Sequence, residues 1–469
     1  MNGFRLYSLE IDSELIRTDK IELVNISDSL NSNYFSLMIG NNGTGKSRIL
    51  SEVARFFKKT EKHSDPNLSK HSYFEYNITP SKIIAVTNSI SDKFPTDQSF
   101  MRFPPLSKGF YYKDFYYNYL GTRSRYFNSS KNFLINRALQ IVFENYSERD
   151  ISRNYRHIFD YLNYEPVIKL NYQFINPTNS GFKPINPNSM ISYVKNIGID
   201  RHLNISKYLV STVEERAYEL CDFILQRSSY GSNNNELTVN FSEKNIGRIQ
   251  KNELLYTENF HEYELISILE KIGLIRTMKV QLFKKDGMSF SFDDASSGEA
   301  NILSTLLSLV PLLKDNSLIL IDEPEISLHP LWQAKYIDLL NKTLGNVSGC
   351  HVIIASHSPF LASDLKPHNS SVVSLKSKKG IIHSNLINKS TYGWSAEDIL
   401  LNVFGMETTR NFDLYESVSE ALYLLANGQK FDEKLIAIKY KLREFYPSIL
   451  DTDPIKPVIK AIFEAISYD

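Results

Sequence analysis

"YFSLMIGNNGTGKSRIL" (Tyr34–Leu50) decides how this chain folds. Its first six residues are a short run of β-formers and apolar side chains, the pattern of a buried strand. Gly40-Asn41-Asn42-Gly43-Thr44-Gly45-Lys46-Ser47 then fits the spacing G-x-x-x-x-G-K-[ST]. A helical pattern runs on from Lys46 to about Lys59. Each residue type has a task in such a loop. The glycines let consecutive backbone N–H groups turn inward around the phosphates of a nucleotide. Lys46 brings a point charge to the β and γ oxygens, the Ser47 hydroxyl can ligate Mg²⁺, and the helix adds its positive end. Asn41, Asn42, Gly43, Thr44, Gly45, Lys46, Ser47 and Arg48 are therefore the expected ATP-binding residues.

Working outward, "SLILIDEP" (Ser317–Pro324) and "HVIIASHSP" (His351–Pro359) read as two more buried strands, with a helix expected near Pro330–Leu344. Asp322 ends the first of them, where a carboxylate can hold Mg²⁺ together with Ser47. Glu323 follows, placed to activate or orient an attacking water. His357 follows the second strand at the same edge and can sense a γ-phosphate by hydrogen bonding. "FDDASSGEANIL" (Phe292–Leu303) has a cap and a first-turn acid, which alone predict a well-made helix start.

The chain has 469 residues, 42% of them hydrophobic, and its 53 basic and 53 acidic side chains cancel. That is enough chain for two or three compact units, and the net charge demands no polyanionic partner. Cys221 and Cys350 are the two cysteines, which excludes a disulfide framework or a cysteine-built zinc site and fits a reducing cytoplasm. The opening "MNGFRLYSLEIDSELI" lacks the basic and apolar regions of a secretory leader, and no apolar run approaches a membrane span. A cytoplasmic protein with no membrane partner is expected.

The order of the motifs resembles that of the ABC ATPases: phosphate loop, small-Ser-Ser-Gly-Glu turn, acidic strand, histidine strand. "ASSGE" is similar to their signature sequence, "LILIDEP" to their acidic strand and "ASHSP" to their switch histidine, over about Phe4–Asn128 and Leu274–Thr409. The resemblance implies an obligate partnership between copies. Ser296, Ser297, Gly298 and Glu299 of one copy would cap the nucleotide held by Gly43–Ser47 of another, with ATP sandwiched in a homodimer or higher oligomer. "EPEISLHPLWQ" (Glu323–Gln333) further resembles the soluble SMC-like and overcoming-lysogenization-defect-like ATPases. "IIAVTNSISDKF" and "YYNYLGTRSR" are similar to the ATPase subunits of two-gene anti-phage systems such as Septu. In those systems a nuclease or toxin encoded by a neighbouring gene is the partner. DNA remains a further candidate partner, and alternatives are a DNA repair ATPase of the SMC or RecF type and a regulatory module that binds ATP with negligible turnover.

Two departures stand out. Where transport-type relatives have a glutamine after a strand, this chain has Thr87-Asn88-Ser89, with the nearest glutamine at Gln98. Asp451-Thr452-Asp453 matches a nuclease spacing but has helical sequence around it, so a loop between tail helices is expected. The aromatic run Phe110–Tyr119, with Arg123 and Arg125 beyond, reads as a packed interface rather than a base-stacking surface. The fold class expected is α/β: an ABC-type P-loop ATPase head with a mixed and parallel sheet flanked by helices, a large mainly helical insertion and a helical tail. The expected segments are 1–125 (head, N-terminal part), 126–272 (insertion), 273–395 (head, C-terminal part) and 396–469 (tail).

Overall fold

A computed structural model describes residues 3–25, 30–60, 72–89, 91–96, 115–121, 131–144, 152–175, 186–200, 207–228, 235–242, 258–429 and 432–466. Phe110–Asp114, Gln98, Arg123 and Arg125 lie outside the described residues. The chain divides into two compact units, Met1–Gly393 and Trp394–Asp469.

The first unit is organised by an eight-stranded sheet. Six of its strands run parallel in the order Ser370–Lys378, Tyr34–Gly40, His351–Ser356, Leu318–Asp322, Ile83–Thr87 and Tyr117–Leu120. At one edge Ile381–Leu386 turns back antiparallel and Arg17–Thr18 pairs with it. Every residue of the four strands from Tyr34–Gly40 to Ile83–Thr87 is buried, so elements cover both faces. Parallel register lines up their carboxyl ends: Asp322 lies opposite Ala355, and Ser356 opposite Ile39. The phosphate loop, the acidic turn and the histidine turn thus share one edge.

The helix Lys46–Thr60 buries Ile49, Leu50, Val53, Ala54 and Phe57, an apolar stripe at helical spacing. It packs on Met38, Leu320 and Ile353 of the large sheet and on Phe4, Leu6 and Leu9 of a second sheet. That second sheet is three-stranded and antiparallel, in the order Ile21–Glu22, Leu6–Glu10, Tyr73–Tyr76. Burying each large apolar side chain of this layer stabilises the fold by about 1.5–3 kcal/mol.

A polar knot ties the two sheets together. The Leu6 N–H donates to His351 Nδ1 at 3.1 Å. Nε2 therefore carries the ring proton and faces Ser36 Oγ at 2.8 Å, and Ser36 donates onward to the Leu23 carbonyl at 2.6 Å. Burial, then the neighbouring Arg5 charge, hold the His351 pKa well below its usual value of 6.5. The folded protein thus binds one proton fewer here than the unfolded chain at acid pH. This contribution to stability is complete above about pH 6.5 and is lost as the pH falls below it, by up to about 1.4 kcal/mol per pH unit. The difference in urea-unfolding free energy between the parent and His351→Asn should carry this slope between about pH 7.5 and 5, since the other titrating groups are common to both.

The segment expected as a mainly helical insertion contributes more than helices. Tyr164–Phe174 and Asn235–Asn240 join Ile275–Lys284 and Ser289–Ser291 in a four-stranded antiparallel sheet. Ladder hydrogen bonds therefore cross the expected boundary at 272/273, because Tyr164–Phe174 alternates buried Ile168, Leu170 and Tyr172 with more exposed neighbours. The helix expected near Pro330–Leu344 is two shorter ones, Pro330–Gln333 and Tyr336–Thr343. The aromatic residues Tyr117 and Tyr119 are buried strand residues of the large sheet, with hydroxyls bonded to the Pro95 carbonyl and to Asp92. They belong to the head's core cluster, and the Tyr119 carbonyl also accepts from Arg137 of the expected insertion.

The second unit is helical: Ala396–Asn402, Phe412–Ala426, Glu433–Phe445 and Ile455–Ala465. Val418, Ala421, Leu424, Leu435, Ile438, Leu442, Ile459 and Ile462 form its core. Asp451 and Asp453 sit in a turn between the last two of these helices, paired to Lys456 at 2.7 Å and Arg410 at 2.8 Å. Among the described residues, no helix is long and apolar enough to cross a membrane.

Candidate active site

Gly43 and Gly45 turn the phosphate loop with φ of 80° and 84°, a left-handed conformation that glycine adopts without a Cβ penalty. Lys46, 4% exposed, donates to the carbonyls of Gly40 at 2.9 Å and Asn41 at 3.2 Å. Burial lowers its pKa to about 8, against the opposing pull of the Glu323, Glu325 and Asp322 carboxylates. The next residue makes the contact on which the site turns: Ser47 Oγ donates to Asp322 Oδ1 at 2.9 Å. Burial raises the Asp322 pKa to about 7, helped by the charges of Glu323, Asp92 and Glu325 and opposed by the Ser47 bond.

His357 lies between the loop and the acids. Its Nδ1 is 3.4 Å from Lys46 Nζ, and its Nε2 is 3.8 Å from Glu323 Oε1. Burial, then the Lys46 charge, lower its pKa, so the ring is neutral at physiological pH. Glu323 has φ of 50°, unusual for a residue with a side chain, and its N–H donates to the Ala355 carbonyl at 2.9 Å. Left-handed residues of this kind persist where the surrounding structure holds them, often at functional sites.

A hydroxyl beside a buried carboxylate ringed by acids suits a hard divalent cation with oxygen ligands, so Ser47 and Asp322 fit Mg²⁺. Among the described residues, no group of three or more His, Cys, Asp or Glu could hold a metal. Nucleotide and water would complete the shell, as is usual for Mg²⁺.

Some expected site residues are placed elsewhere. The Arg48 guanidinium turns away and donates to the Leu15 carbonyl at 2.9 Å. Ser296 and Glu299 form a capping box at the start of the helix Ser297–Leu309: the Glu299 N–H donates to Ser296 Oγ and the Ser296 N–H to Glu299 Oε2. Gly298 is buried, and a Cβ there would lie 2.5 Å from the Ser327 carbonyl oxygen of the same chain. Ser296 and Ser297 are exposed. Among the described residues, no hydrogen bond or ion pair joins this turn to Lys46, Asp322, Glu323 or His357. Asn88 is engaged with the helix Ser297–Leu309, accepting from Thr305 Oγ1 at 3.5 Å.

Sequence reasoning missed Glu325, which accepts the His357 backbone N–H at 2.5 Å and lies near enough to act on Lys46 and Asp322. The repeated acid in "EPE" was its signal.

Comparison with known proteins adds the family. The AAA ATPase domain matches residues 17–362, a span that holds the phosphate loop, the turn Ser296–Glu299, the acidic strand and His357. The chain belongs to the AAA ATPase domain family. This AAA ATPase is 31% identical over 165 residues to protein ea59 of Escherichia phage lambda, covering 33% of this chain and 30% of ea59. It is 30% identical over 127 residues to Septu protein PtuA of Bacillus thuringiensis, covering 27% of this chain and 31% of PtuA. The matches thus span about a third of the length of these curated relatives. Among solved structures, the Smc head domain from Pyrococcus furiosus, bound to the C-terminal domain of ScpA, aligns at 10% identity and a TM-score of 0.31. That alignment covers 82% of this AAA ATPase and 96% of the Smc chain.

Proposed function

We propose that this AAA ATPase binds and hydrolyses Mg–ATP with the nucleotide sandwiched between two copies, and that its nucleotide state controls a nuclease or toxin partner in anti-phage defence. The observation that carries the catalytic part is the bond from Ser47 to Asp322, with His357 set between Lys46 and Glu323. Mg²⁺, when bound, offsets charge on the phosphate oxygens. Lys46 adds a cation beside those oxygens. Ser47 and Asp322 hold the metal, Glu323 takes a proton from the attacking water or orients it, and the neutral His357 ring donates to the γ-phosphate.

Two features support the sandwich. Among the described residues, the turn at Ser296–Glu299 makes no hydrogen bond to its own phosphate loop, and it offers exposed hydroxyls at a helix start, a suitable seat for a phosphate brought by another copy. The partner and its role in defence rest on the likeness to Septu protein PtuA. The first test is steady-state phosphate release beside light scattering, with and without Mg–ATP. We expect turnover and an ATP-dependent increase in mass. ATP binding without turnover would leave only a regulatory nucleotide module, and turnover by a strict monomer would remove the sandwich.

A further inference from the structure

We propose that Glu325 is the positioning residue that sets His357 in the nucleotide site, by accepting the histidine's main-chain N–H. This rests on the ATPase reading above and extends it to a residue outside the motifs. The strand His351–Ser356 pairs with one neighbour as far as Ala355 and with the other as far as Ser356, so His357 is the first residue beyond the ladder. Its N–H needs a partner at a buried sheet end, and Glu325 Oε1 supplies one at 2.5 Å.

The acceptor is itself fixed. The Leu328 N–H donates to the Glu325 carbonyl at 2.9 Å and the Ile326 N–H to the Glu323 carbonyl at 3.3 Å, closing the turn that follows Glu323. Leu328 is buried in that turn. One short segment thus carries both the acid at Glu323 and the acceptor that places the histidine 3.8 Å from it.

A carboxylate is a costly choice for a purely structural acceptor. Its Oε2 is buried, with the Ser356 hydroxyl beside it rather than in a well-formed hydrogen bond. A group left so is unusual and calls for a reason, and functional sites are where such groups are kept. The Glu325 charge also reaches Lys46 and Asp322, which places the side chain within the same electrostatic cluster.

Three variants test the assignment. Glu325→Met keeps the volume and removes the acceptor, and Glu325→Gln keeps a carbonyl oxygen that can accept the same N–H. Shifting a catalytic group by a fraction of an ångström should lower kcat about 10- to 100-fold in Glu325→Met. ATP affinity, read by fluorescent-nucleotide titration, should not fall by more than about threefold, since the loop is kept and the charge lost beside Lys46 is negative. Glu325→Gln should restore kcat to within about threefold of the parent. Combined with His357→Ala, Glu325→Met should cost nothing further, because both act through one side chain.

Parent-like kcat in Glu325→Met, or an additive double variant, overturns the assignment. A tenfold loss in Glu325→Gln does so too, since charge rather than the accepted bond would then be what matters. Should Glu325→Met not fold, the Glu325→Gln arm decides alone, by the same limits. A parent that does not hydrolyse ATP removes the underlying reading. A parent that does, with Glu323→Gln inactive and Glu325→Met unaffected, removes this inference and leaves that reading standing.

Discussion

Glu323→Gln should lower kcat for ATP hydrolysis by about 10²–10⁴-fold, the range expected when a general base or water-orienting carboxylate is lost. Glutamine is isosteric, so the left-handed backbone at φ of 50° and the N–H bond to Ala355 are kept. Removing one negative charge from a cluster that also contains Asp322 and Glu325 does not oppose phosphate binding. ATP affinity should therefore hold or rise slightly, and ATP-bound oligomers should accumulate because they no longer turn over. The measurement is single-turnover hydrolysis beside size-exclusion chromatography in Mg–ATP. If Glu323→Gln hydrolyses ATP at the parent rate, Glu323 is an acidic strand end and nothing more.

Ser297→Glu is the second large effect, and it separates a helix cap from a phosphate seat. Ser297 is exposed at the first position of the helix Ser297–Leu309, behind the Ser296 cap. An acid in a first helical turn interacts favourably with the helix dipole, so the fold should not suffer. Facing the γ-phosphate of a second copy, the same charge would repel it and remove a hydroxyl donor. We expect loss of ATP-driven assembly and a fall in kcat of about 10²–10³-fold, with ATP binding by the monomer unchanged. An unaltered oligomer and rate would mean that the turn only caps its helix. Gly298 is a poorer position to test, because any side chain there meets the Ser327 carbonyl within its own chain. A loss at Gly298 would report damage to that packing as readily as loss of a partner contact.

The legible parts of this protein are those whose chemistry is contiguous. The strand, glycine loop and helix from Tyr34 to Thr60 occur as read, since loop spacing and apolar periodicity are local properties. The capping box at Ser296 and Glu299 was equally readable, its two residues being one helical turn apart. The tail turn at Asp451–Asp453 also lies between helices as expected. Less was legible where patterns compete. The alternation of Ile168, Leu170 and Tyr172 is a strand signal, but helical runs lie on either side of it. A strand also needs a partner distant in sequence, and here that partner is Ile275–Lys284.

The sequence by itself determined the phosphate loop, the acidic strand, the strand that ends before His357 and the order in which they follow. Tertiary structure alone decided which of these residues meet. Ser47 and Asp322 are 275 positions apart, and Lys46 and His357 are 311 apart. They converge because Tyr34–Gly40, His351–Ser356 and Leu318–Asp322 are adjacent parallel strands whose carboxyl ends share an edge. The same packing turned Arg48 to Leu15, covered Gly298 with Ser327 and brought Glu325 under His357. Spacing fixes what a loop can bind, whereas strand order and close approach fix which side chains stand around it.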